Sequence, residues 1–348
     1  MKDGIIILNK PQEWTSSDCV AICRRNLKCR GIKKVGHGGT LDPMATGVLP
    51  IFIGQATRIM EYMELDYKAY RCTARLGLTT DTLDVWGQVI EEVPASELIC
   101  EGNITEEMIR DALAGFVGHI EQIPPKYSAV RVNGRRLYDY MYKGEEIDFE
   151  IKPRPVHIKS MDVLSVDLDK AEVTFDVTCS KGTYIRTICS DLGEKLGCGC
   201  AMTKLERRAS GIISLDKAGA PGTPGAIVSA EQVKTMTAEE LEAIMIPADY
   251  PLVSLGSVEI SEERAVYFSR GNSIWWTQVK ETMKPDYDAL RETGKSGEDG
   301  DIPVNHRGRR YDLIYKVYQE GTGQFLGTGY LDKDENRLKA DKVFISQR

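Results

Sequence analysis

The distribution of apolar and polar residues along the chain predicts a mixture of strands and helices. Residues 4–8 are apolar and rich in β-branched side chains, which predicts a strand, and residues 67–76 predict another. Residues 156–168 and 171–179 alternate apolar and polar positions, as two paired, half-buried strands do. Residues 48–53 are almost uniformly apolar and predict a buried segment.

Helical spacing of apolar positions predicts three helical regions. The first begins near residue 16, where Ser16 or Ser17 is expected to cap it. The second covers residues 105–116, with Thr105 as its cap and two glutamates at its positive end. The third covers residues 229–246, and Thr237 starts a second segment within it.

After residue 250 the predicted elements become shorter, and they are mainly short β-like runs. A length of 348 residues also favours one large domain with a smaller one. We therefore predict a large domain over residues 1–250 and a small β-rich domain over residues 251–348. Residues 280–310 are charged, contain glycine and have little apolar content, which predicts a mobile loop inserted in the small domain.

Residues 36–58 hold the first candidate for chemistry. Gly36, Gly38 and Gly39 permit backbone conformations that are closed to other residues, and Pro43 restricts Asp42 to an extended conformation. A lone carboxylate on a stiff loop, backed by the apolar residues 48–53, is a candidate nucleophile. The alternative is an ordinary Asp-Pro turn over a core strand, and the dipeptide alone favours that alternative.

The overall charge of −7 and the isoelectric point of about 5.4 disfavour a nucleic-acid partner, because phosphate binding depends on cations. The distribution of charge points the other way, since residues 20–40 contain no acid. The cations in this basic block are Arg24, Arg25, Lys28, Arg30, Lys33 and Lys34. A solvated helix face is the usual explanation for such a run. Because the block leads directly into the Asp42 loop, we favour contact with RNA phosphates, with further cations at Arg135, Arg136, Arg207 and Arg208.

Nine cysteines, an odd number spread over a long chain, indicate a reducing compartment rather than a disulfide framework. Cys198 and Cys200 form the only tight pair, and their spacing is not that of a zinc site, so no metal is expected. No apolar run approaches the ~18 residues that span a bilayer, and residues 1–11 do not resemble a signal peptide. We expect a cytoplasmic protein without a membrane association. The sequence has no P-loop and no dinucleotide-binding fingerprint, and no cofactor is expected.

Several stretches, taken in order, resemble the motifs of the TruB family of tRNA pseudouridine synthases. The most specific are residues 36–58, 70–87 and 180–197, and residues 123–138 match a further motif in which Asn133-Gly134 predicts a hairpin. Residues 10–18 resemble the opening motif of the family, with Glu13 in the place of its usual glycine. Residues 325–345 resemble the end of a PUA domain, a small RNA-binding β-barrel.

The resemblance implies an α+β fold. Its catalytic domain would be a mixed, mainly antiparallel sheet with flanking helices, and a small PUA-like β-barrel would follow. The Asp42 loop would lie in a central cleft.

The resemblance also implies roles for individual residues. Asp42 matches the catalytic aspartate of the family, Arg186 its active-site arginine, and Asp84 a second acid that pairs with that arginine. The expected substrate contacts are Tyr70, Tyr184, Leu205 and His37, and the expected RNA-backbone contacts are Arg24, Arg25, Lys33 and Lys34. The structural alternatives are an Arg–Asp pair that only ties two loops together, and ordinary core positions for the tyrosines and Leu205.

The activity implied is isomerisation of the T-loop uridine at position 55 of tRNA to pseudouridine. This reaction breaks the glycosidic bond and rejoins the ring through C5, so it needs neither redox chemistry nor a cofactor. We expect a monomer that binds the T-arm of tRNA without a guide RNA. Two alternatives stay open at this point, namely an inactive RNA-binding or tRNA-folding module and an enzyme that acts only within a guide-RNA complex.

Overall fold

The computed structural model describes residues 3–98, 103–132, 134–144, 149–292 and 302–344. In these ranges the chain forms one large sheet of ten strands, one sheet of six strands and two small two-stranded ribbons. The strands are β1 (Gly4–Lys10), β2 (Val35–His37), β3 (Thr46–Ile53), β4 (Lys68–Leu76), β5 (Leu78–Thr80), β6 (Val89–Glu92), β7 (Gly118–Gln122), β8 (Arg131–Val132), β9 (Arg135–Arg136), β10 (Arg154–Asp167), β11 (Glu172–Cys179), β12 (Cys200–Ser210), β13 (Ile213–Ser214), β14 (Ile227–Ser229), β15 (Gly256–Ile260), β16 (Ile274–Trp275), β17 (Lys280–Met283), β18 (Ile314–Gln319), β19 (Gln324–Asp332) and β20 (Arg337–Val343).

Most helices flank the large sheet. They are α1 (Ser16–Leu27), α2 (Ala95–Leu98), α3 (Glu106–Ala114), α4 (Leu137–Tyr142), α5 (Ile185–Leu196), α6 (Ala230–Thr235), α7 (Ala238–Ala243), α8 (Glu262–Ser269) and α9 (Tyr287–Glu292). Thr105 caps α3 and Thr237 caps α7, as their sequence signals predict. Short 3₁₀ segments lie at Lys28–Arg30, Gly54–Leu65, Leu215–Lys217, Trp276–Gln278 and Tyr311–Leu313.

The large sheet has the strand order β14-β1-β3-β12-β4-β11-β10-β7, with β2 beside β3 and β13 beside β12. Two of its pairings, β1 with β14 and β12 with β3, are parallel, and the others are antiparallel. This arrangement confirms the predicted mixed, mainly antiparallel sheet. The predicted pairing of the alternating segments is also confirmed, because β10 and β11 are antiparallel neighbours with Ile158 opposite Cys179.

Helix α1 starts one residue earlier than predicted. Thr15 is its N-cap, because Thr15 and Asp18 satisfy each other's backbone N–H groups in a capping box. Ser16 is buried instead and bonds to Leu41, the residue before Asp42. Ser16, which was expected to cap the start of α1, therefore holds the loop that carries the candidate nucleophile.

Strand β3 forms the buried support that the sequence predicts. Leu49, Ile51 and Ile53 pack on one side of the sheet with α1, and Val48 and Phe52 pack on the other. Both faces of this strand are covered, which explains its continuous apolar run. The loop that leads into β3 is thus fixed to the centre of the large sheet.

The six-stranded sheet of the C-terminal part has the order β16-β20-β19-β18-β15-β17 and curls into a half-barrel. It is consistent with the PUA-like domain that the sequence predicts, and it encloses its own apolar cluster around Val258, Phe268 and Val317. The boundary expected at residue 250 stays a prediction.

Residues 280–310 differ from the predicted mobile loop. Their described part contains β17, which pairs with β15, and α9, whose Leu290 is fully buried. Asp286 accepts a hydrogen bond from the backbone of Ala289 in the first turn of α9. The hydroxyl of Tyr67 bonds to the carbonyl of Glu292, and Lys159 pairs with its carboxylate at 2.6 Å, so composition alone underestimated the order of this charged helix. Residues 293–301 lie outside the described ranges.

A shared apolar cluster joins the two sheets. It combines Phe52 and Ile59, from the part of the chain that forms the large sheet, with Leu255, Ile314 and Phe344 of the C-terminal part. At its edge the hydroxyl of Tyr62 lies 2.8 Å from Oγ1 of Thr328 and 2.7 Å from Oδ2 of Asp341. Nζ of Lys342 pairs with Oε2 of Glu61 at 3.0 Å.

Candidate active site

The Asp42 loop is held from one side by α1. The Oγ atom of Ser16 accepts a hydrogen bond from the backbone N–H of Leu41 at 2.8 Å. The backbone N–H of Ala45 donates to the carbonyl of Asp42 at 3.0 Å and closes a turn. Leu41 and Met44 point into the core, while the side chain of Asp42 stays 41% exposed. The loop therefore presents one accessible carboxylate on a buried base.

The same loop is held from the other side by residues that the sequence analysis did not single out. Lys10 is completely buried, and its Nζ donates to the carbonyl oxygens of Trp14 at 2.6 Å, Pro11 at 2.9 Å and Pro43 at 3.2 Å. Burial lowers the pKa of Lys10 to about 8. Its position in the Lys-Pro motif was the only signal for this role.

Glu13 also bonds to the Asp42 loop, since its backbone N–H donates to the carbonyl of Pro43 at 2.8 Å. Its φ angle is +70°, in the left-handed region. The family motif has glycine there, and glycine adopts this conformation without a steric penalty. Glu13 thus adopts the left-handed backbone conformation at a steric cost that glycine would not have.

Arg186, in the first turn of α5, joins the two acids. Its side chain is 8% exposed, and Nη2 lies 2.9 Å from Oδ2 of Asp42. Nη1 lies 3.7 Å from Oδ2 of Asp84 and donates to the carbonyl of Thr82 at 3.0 Å. Nη2 also donates to the carbonyl of Tyr127 at 2.9 Å. The guanidinium therefore joins three loops.

Asp84 has a different environment from Asp42. Its side chain is only 9% exposed, and burial raises its pKa, although Arg186 opposes this. Oδ1 accepts hydrogen bonds from Oγ1 of Thr82 at 2.9 Å and from the backbone N–H of Trp86 at 3.0 Å. Both carboxylate oxygens are thus engaged within the protein.

Tyr184 lies just before α5 and is partly exposed. Its backbone is held by Gln122 of β7, whose Oε1 accepts from the N–H at 2.9 Å and whose Nε2 donates to the carbonyl at 3.3 Å. Gln122 is 1% exposed, and no motif pointed to it. It fixes the backbone of Tyr184 at the N-terminus of α5, a helix without a side-chain cap.

Tyr70 and Leu205 approach the Asp42 loop from neighbouring strands. Both pack in the apolar cluster that contains Leu41 and Met44. Burial raises the pKa of Tyr70, and its hydroxyl is hydrogen-bonded to Arg207, the residue opposite it on β12. The structure therefore brings these two predicted pocket residues together with the loop.

Arg207 is not the surface cation that the sequence analysis expected. It is 1% exposed, its Nε donates to the carbonyl of Val48 at 2.7 Å, and its Nη2 donates to that of Gly39 at 3.1 Å. The alternation of β12, a strand that the sequence analysis did not predict, places Arg207 on the same side as Leu205. Gly47 is required beside it, because a Cβ there would lie 2.3 Å from the Arg207 carbonyl oxygen.

His37 ends β2 in the glycine-rich segment. Burial lowers its pKa, and the nearby charge of Arg207 acts in the same direction. Its Nδ1 atom is buried and has no hydrogen-bond partner among the described residues. The imidazole of His37 is thus neutral, and one of its two nitrogens is buried without a partner in the described part of the chain.

The predicted RNA-backbone residues Arg24, Arg25, Lys33 and Lys34 are all exposed. Arg24 also donates to the carbonyl of Val35 at 3.2 Å, at the start of β2. Arg30 differs from the prediction for the basic block, since it pairs with Glu239 and, at 3.5 Å, with Glu242. Two acids that lie far away in sequence therefore compensate one of the six cations.

A second basic element reaches the site through Tyr127. The predicted hairpin is confirmed by the pairing of β8 with β9, with Gly134 at φ +81°, while Asn133 lies outside the described residues. Its strands carry Arg131, Arg135 and Arg136. Since Arg186 binds the carbonyl of Tyr127, the segment that leads into this hairpin lies beside the acidic pair.

In the described ranges, no group of three or more His, Cys, Asp or Glu side chains is arranged to hold a metal ion. The eight cysteines that these ranges contain are free thiols, and Cys100 lies outside them. No helix of the described residues is long and apolar enough to cross a membrane.

Comparison with known structures defines the class of protein. The fold matches the archaeal box H/ACA sRNP Nop10–Cbf5 complex with a TM-score of 0.64 at 19% identity, covering 98% of this chain and 86% of that one. A Cbf5–Nop10–Gar1 complex matches with the same TM-score at 21% identity, covering 99% and 84%. The fold is that of the pseudouridine synthases.

Sequence comparison then identifies the family. Residues 24–185 match the model for the TruB family pseudouridylate synthase N-terminal domain, and residues 186–253 match that for the tRNA pseudouridylate synthase B C-terminal domain. The chain is 41% identical to tRNA pseudouridine synthase B of Clostridium tetani, covering 95% of this chain and 96% of that one. The corresponding protein of Clostridioides difficile is 36% identical, with 98% and 99% covered. This chain belongs to the TruB family of pseudouridylate synthases, and as such it is an isomerase.

Proposed function

We propose that this enzyme converts the T-loop uridine at position 55 of tRNA into pseudouridine, with Asp42 as the reactive carboxylate. The relatives described above are named as synthases of tRNA pseudouridine, which supports tRNA as the substrate. The observation that carries the assignment to Asp42 is the ion pair with Arg186 at 2.9 Å, made by a carboxylate that remains 41% exposed.

The two acids on Arg186 support a division of roles. Asp84 is buried and uses both oxygens inside the protein, so it has no free face for a substrate. Asp42 is accessible, and its Oδ2 lies 2.9 Å from the guanidinium of Arg186, which orients the carboxylate. We therefore assign the chemistry to Asp42, acting as a nucleophile or as a base, and the positioning of Arg186 to Asp84.

The four substrate contacts predicted from the sequence remain part of the proposal. Tyr70 and Leu205 lie in the apolar cluster under the Asp42 loop, and Tyr184 precedes the helix that carries Arg186. An aromatic ring and an apolar wall are what a uracil needs once it has left its stack in RNA. His37 lies in the glycine-rich segment that leads into the Asp42 loop, where its imidazole would stack or hydrogen-bond on the RNA.

The proposed path of the RNA combines two basic elements. The first element precedes the Asp42 loop and consists of Arg24, Arg25, Lys33 and Lys34. The second is the β8–β9 hairpin, which follows the Tyr127 segment that contacts Arg186. Cations on both approaches give the phosphates favourable contacts despite the net charge of the chain, because the field is local. The C-terminal half-barrel would add contacts outside the T-arm. A tRNA substrate fits the cytoplasmic location that the sequence predicts.

Turnover of a bare T-arm transcript by the purified full chain tests this function. We expect stoichiometric pseudouridine at the T-loop uridine, without added protein, guide RNA or cofactor. An inactive binding or folding module would bind the transcript without converting it. An enzyme that needs a guide-RNA complex would convert the uridine only after further components are added. Either result would contradict the proposal.

A further inference from the structure

The loop of Asp84 carries an exposed aromatic residue that the proposed chemistry does not use. Half of the surface of Trp86 is accessible, and its neighbour Val85 is 39% exposed. Tryptophan is among the most buried residue types on average, because its large apolar surface is unfavourable in water. Single exposed apolar side chains are common, but Trp86 lies next to exposed Val85 in the loop whose Asp84 contacts Arg186, where a bound substrate can cover it.

The backbone on both sides of Trp86 is fixed. The carbonyl of Met202 on β12 accepts from Val85 at 3.0 Å, and the N–H of Met202 donates to Leu83 at 3.1 Å. Gly87 closes the turn by donating to the carbonyl of Asp84 at 3.2 Å. A Cβ at Gly87 would lie 2.2 Å from Oγ1 of Thr82, so the turn is tightly packed. The backbone that carries Trp86 is thus held in one conformation by the sheet and by its own turn.

Three successive contacts connect Trp86 to the reactive group. The backbone N–H of Trp86 donates to Oδ1 of Asp84 at 3.0 Å, Oδ2 of Asp84 lies 3.7 Å from Arg186, and Arg186 lies 2.9 Å from Asp42. The hydroxyl of Tyr127, which precedes the basic hairpin, donates to Oδ2 of Asp81 in the same loop at 3.4 Å. The loop that carries the exposed indole is therefore connected to both the acidic pair and one proposed RNA approach.

We propose that Trp86 stacks on an unpaired base of the substrate RNA that flanks the target uridine. This inference rests on the proposed function. When a uridine leaves its stack, its neighbours lose a stacking partner, and an aromatic side chain can replace it. The β8–β9 hairpin that follows Tyr127 carries Arg131, Arg135 and Arg136, and these cations favour a nucleic acid as the ligand of the adjacent indole.

Two variants of the full chain and one control test this contact. Trp86→Ala removes the stacking surface and Trp86→Phe retains part of it. Trp275→Phe is the control, since Trp275 is 48% exposed but lies on β16 of the half-barrel. The probe is a T-arm transcript, and the readouts are its Kd and its quenching of tryptophan fluorescence. Unfolding midpoints of the variants confirm that they are folded.

We expect Trp86→Ala to raise the Kd by about tenfold, which corresponds to about 1.4 kcal/mol. Trp86→Phe should have a smaller effect on the Kd. Both variants should lose most of the RNA-dependent quenching, while Trp275→Phe should keep the Kd and the quenching of the wild type. Replacing the stacked flanking nucleotide by an abasic one should weaken binding to the wild type about tenfold and to Trp86→Ala by less than twofold.

The outcomes separate this contact from the proposed function. If the wild type forms pseudouridine but Trp86→Ala binds within twofold and quenching is unchanged, the stacking contact is wrong and the function stands. If the wild type forms no pseudouridine while RNA still quenches Trp86, the proposed function is wrong and the contact stands. If the transcript does not bind at all, both are wrong.

Discussion

The terminal nitrogen Nη2 of Arg186 lies 2.9 Å from Oδ2 of Asp42. This contact connects a helix N-terminal turn to a loop that precedes it by more than 140 residues in the sequence. Because the arginine is almost fully buried and the carboxylate is not, the pair orients an acid toward solvent. The predictions below follow from this geometry and from the residues that hold it.

Arg186→Lys should reduce the single-turnover rate by at least about a hundredfold, or roughly 2.7 kcal/mol. A lysine has one nitrogen, which cannot reach Asp42, Asp84 and the two carbonyls that the planar fork serves. Arg208→Lys is the matched control, since Arg208 pairs with Glu206 and Asp216 at the surface, and its rate should stay near that of the wild type. A nearly normal rate for Arg186→Lys would mean that charge alone is sufficient.

The stability of the wild type relative to Lys10→Met should increase as the pH rises from 8 to 10. The pKa of Lys10 is about 8 in the fold and 10.5 in the unfolded chain. Between these two pKa values the unfolded chain binds more protons than the folded chain does. A rise in pH therefore destabilises the unfolded state and raises the free energy of unfolding. The expected gain is on the order of 2 kcal/mol, measured by chemical unfolding. A difference between the two proteins that does not vary with pH would show that Lys10 has an ordinary pKa in the fold.

Glu13→Gly should raise the free energy of unfolding by about 0.5–1 kcal/mol. The left-handed conformation of a non-glycine residue costs about 1–2 kcal/mol, and the greater freedom of glycine in the unfolded chain offsets part of the gain. Asn336, with φ +51°, is the control, because asparagine tolerates this region. Asn336→Gly should therefore be neutral or slightly destabilising. Equal effects at both sites would argue against strain at Glu13.

Replacement of Arg24, Arg25, Lys33 and Lys34 by glutamine should weaken binding of the T-arm transcript and flatten its salt dependence. Each phosphate contact that is lost should reduce the slope of log K against log salt by about one unit or slightly less. The rate at saturating RNA should change little. The control replaces four cations that already pair with neighbouring carboxylates, namely Arg110, Lys170, Lys234 and Lys280. If both variants keep the wild-type slope, the RNA path lies elsewhere, first of all along the β8–β9 hairpin.

Local patterns were sufficient for much of the fold. The buried strand β3, the pairing of β10 with β11 and the caps at Thr105 and Thr237 each depend on neighbours along the chain, and the structure agrees with the prediction. The expected pairing of Asp84 with Arg186 came from the family resemblance, and the structure contains it. No periodicity in the sequence pointed to that pair.

The residues that the sequence analysis missed act across long separations. Lys10 reaches Pro43, 33 residues away, and Gln122 holds Tyr184, 62 residues away. Neither side chain differs in type from an ordinary surface residue, so only the tertiary structure reveals its burial. Arg207 is a different case, because the sequence analysis predicted no strand there and expected an exposed cation, whereas the alternation of β12 in the structure places Arg207 on the buried side.

Release of tritium from C5 of the target uridine by Asp42→Asn tests the proposed role of Asp42 most directly. The substitution keeps the shape of the side chain and removes the charge that the reaction needs. We expect no release above background, with an RNA affinity within about threefold of the wild type. Release within about tenfold of the wild-type rate, a loss of only ~1.4 kcal/mol of transition-state stabilisation, would contradict this role.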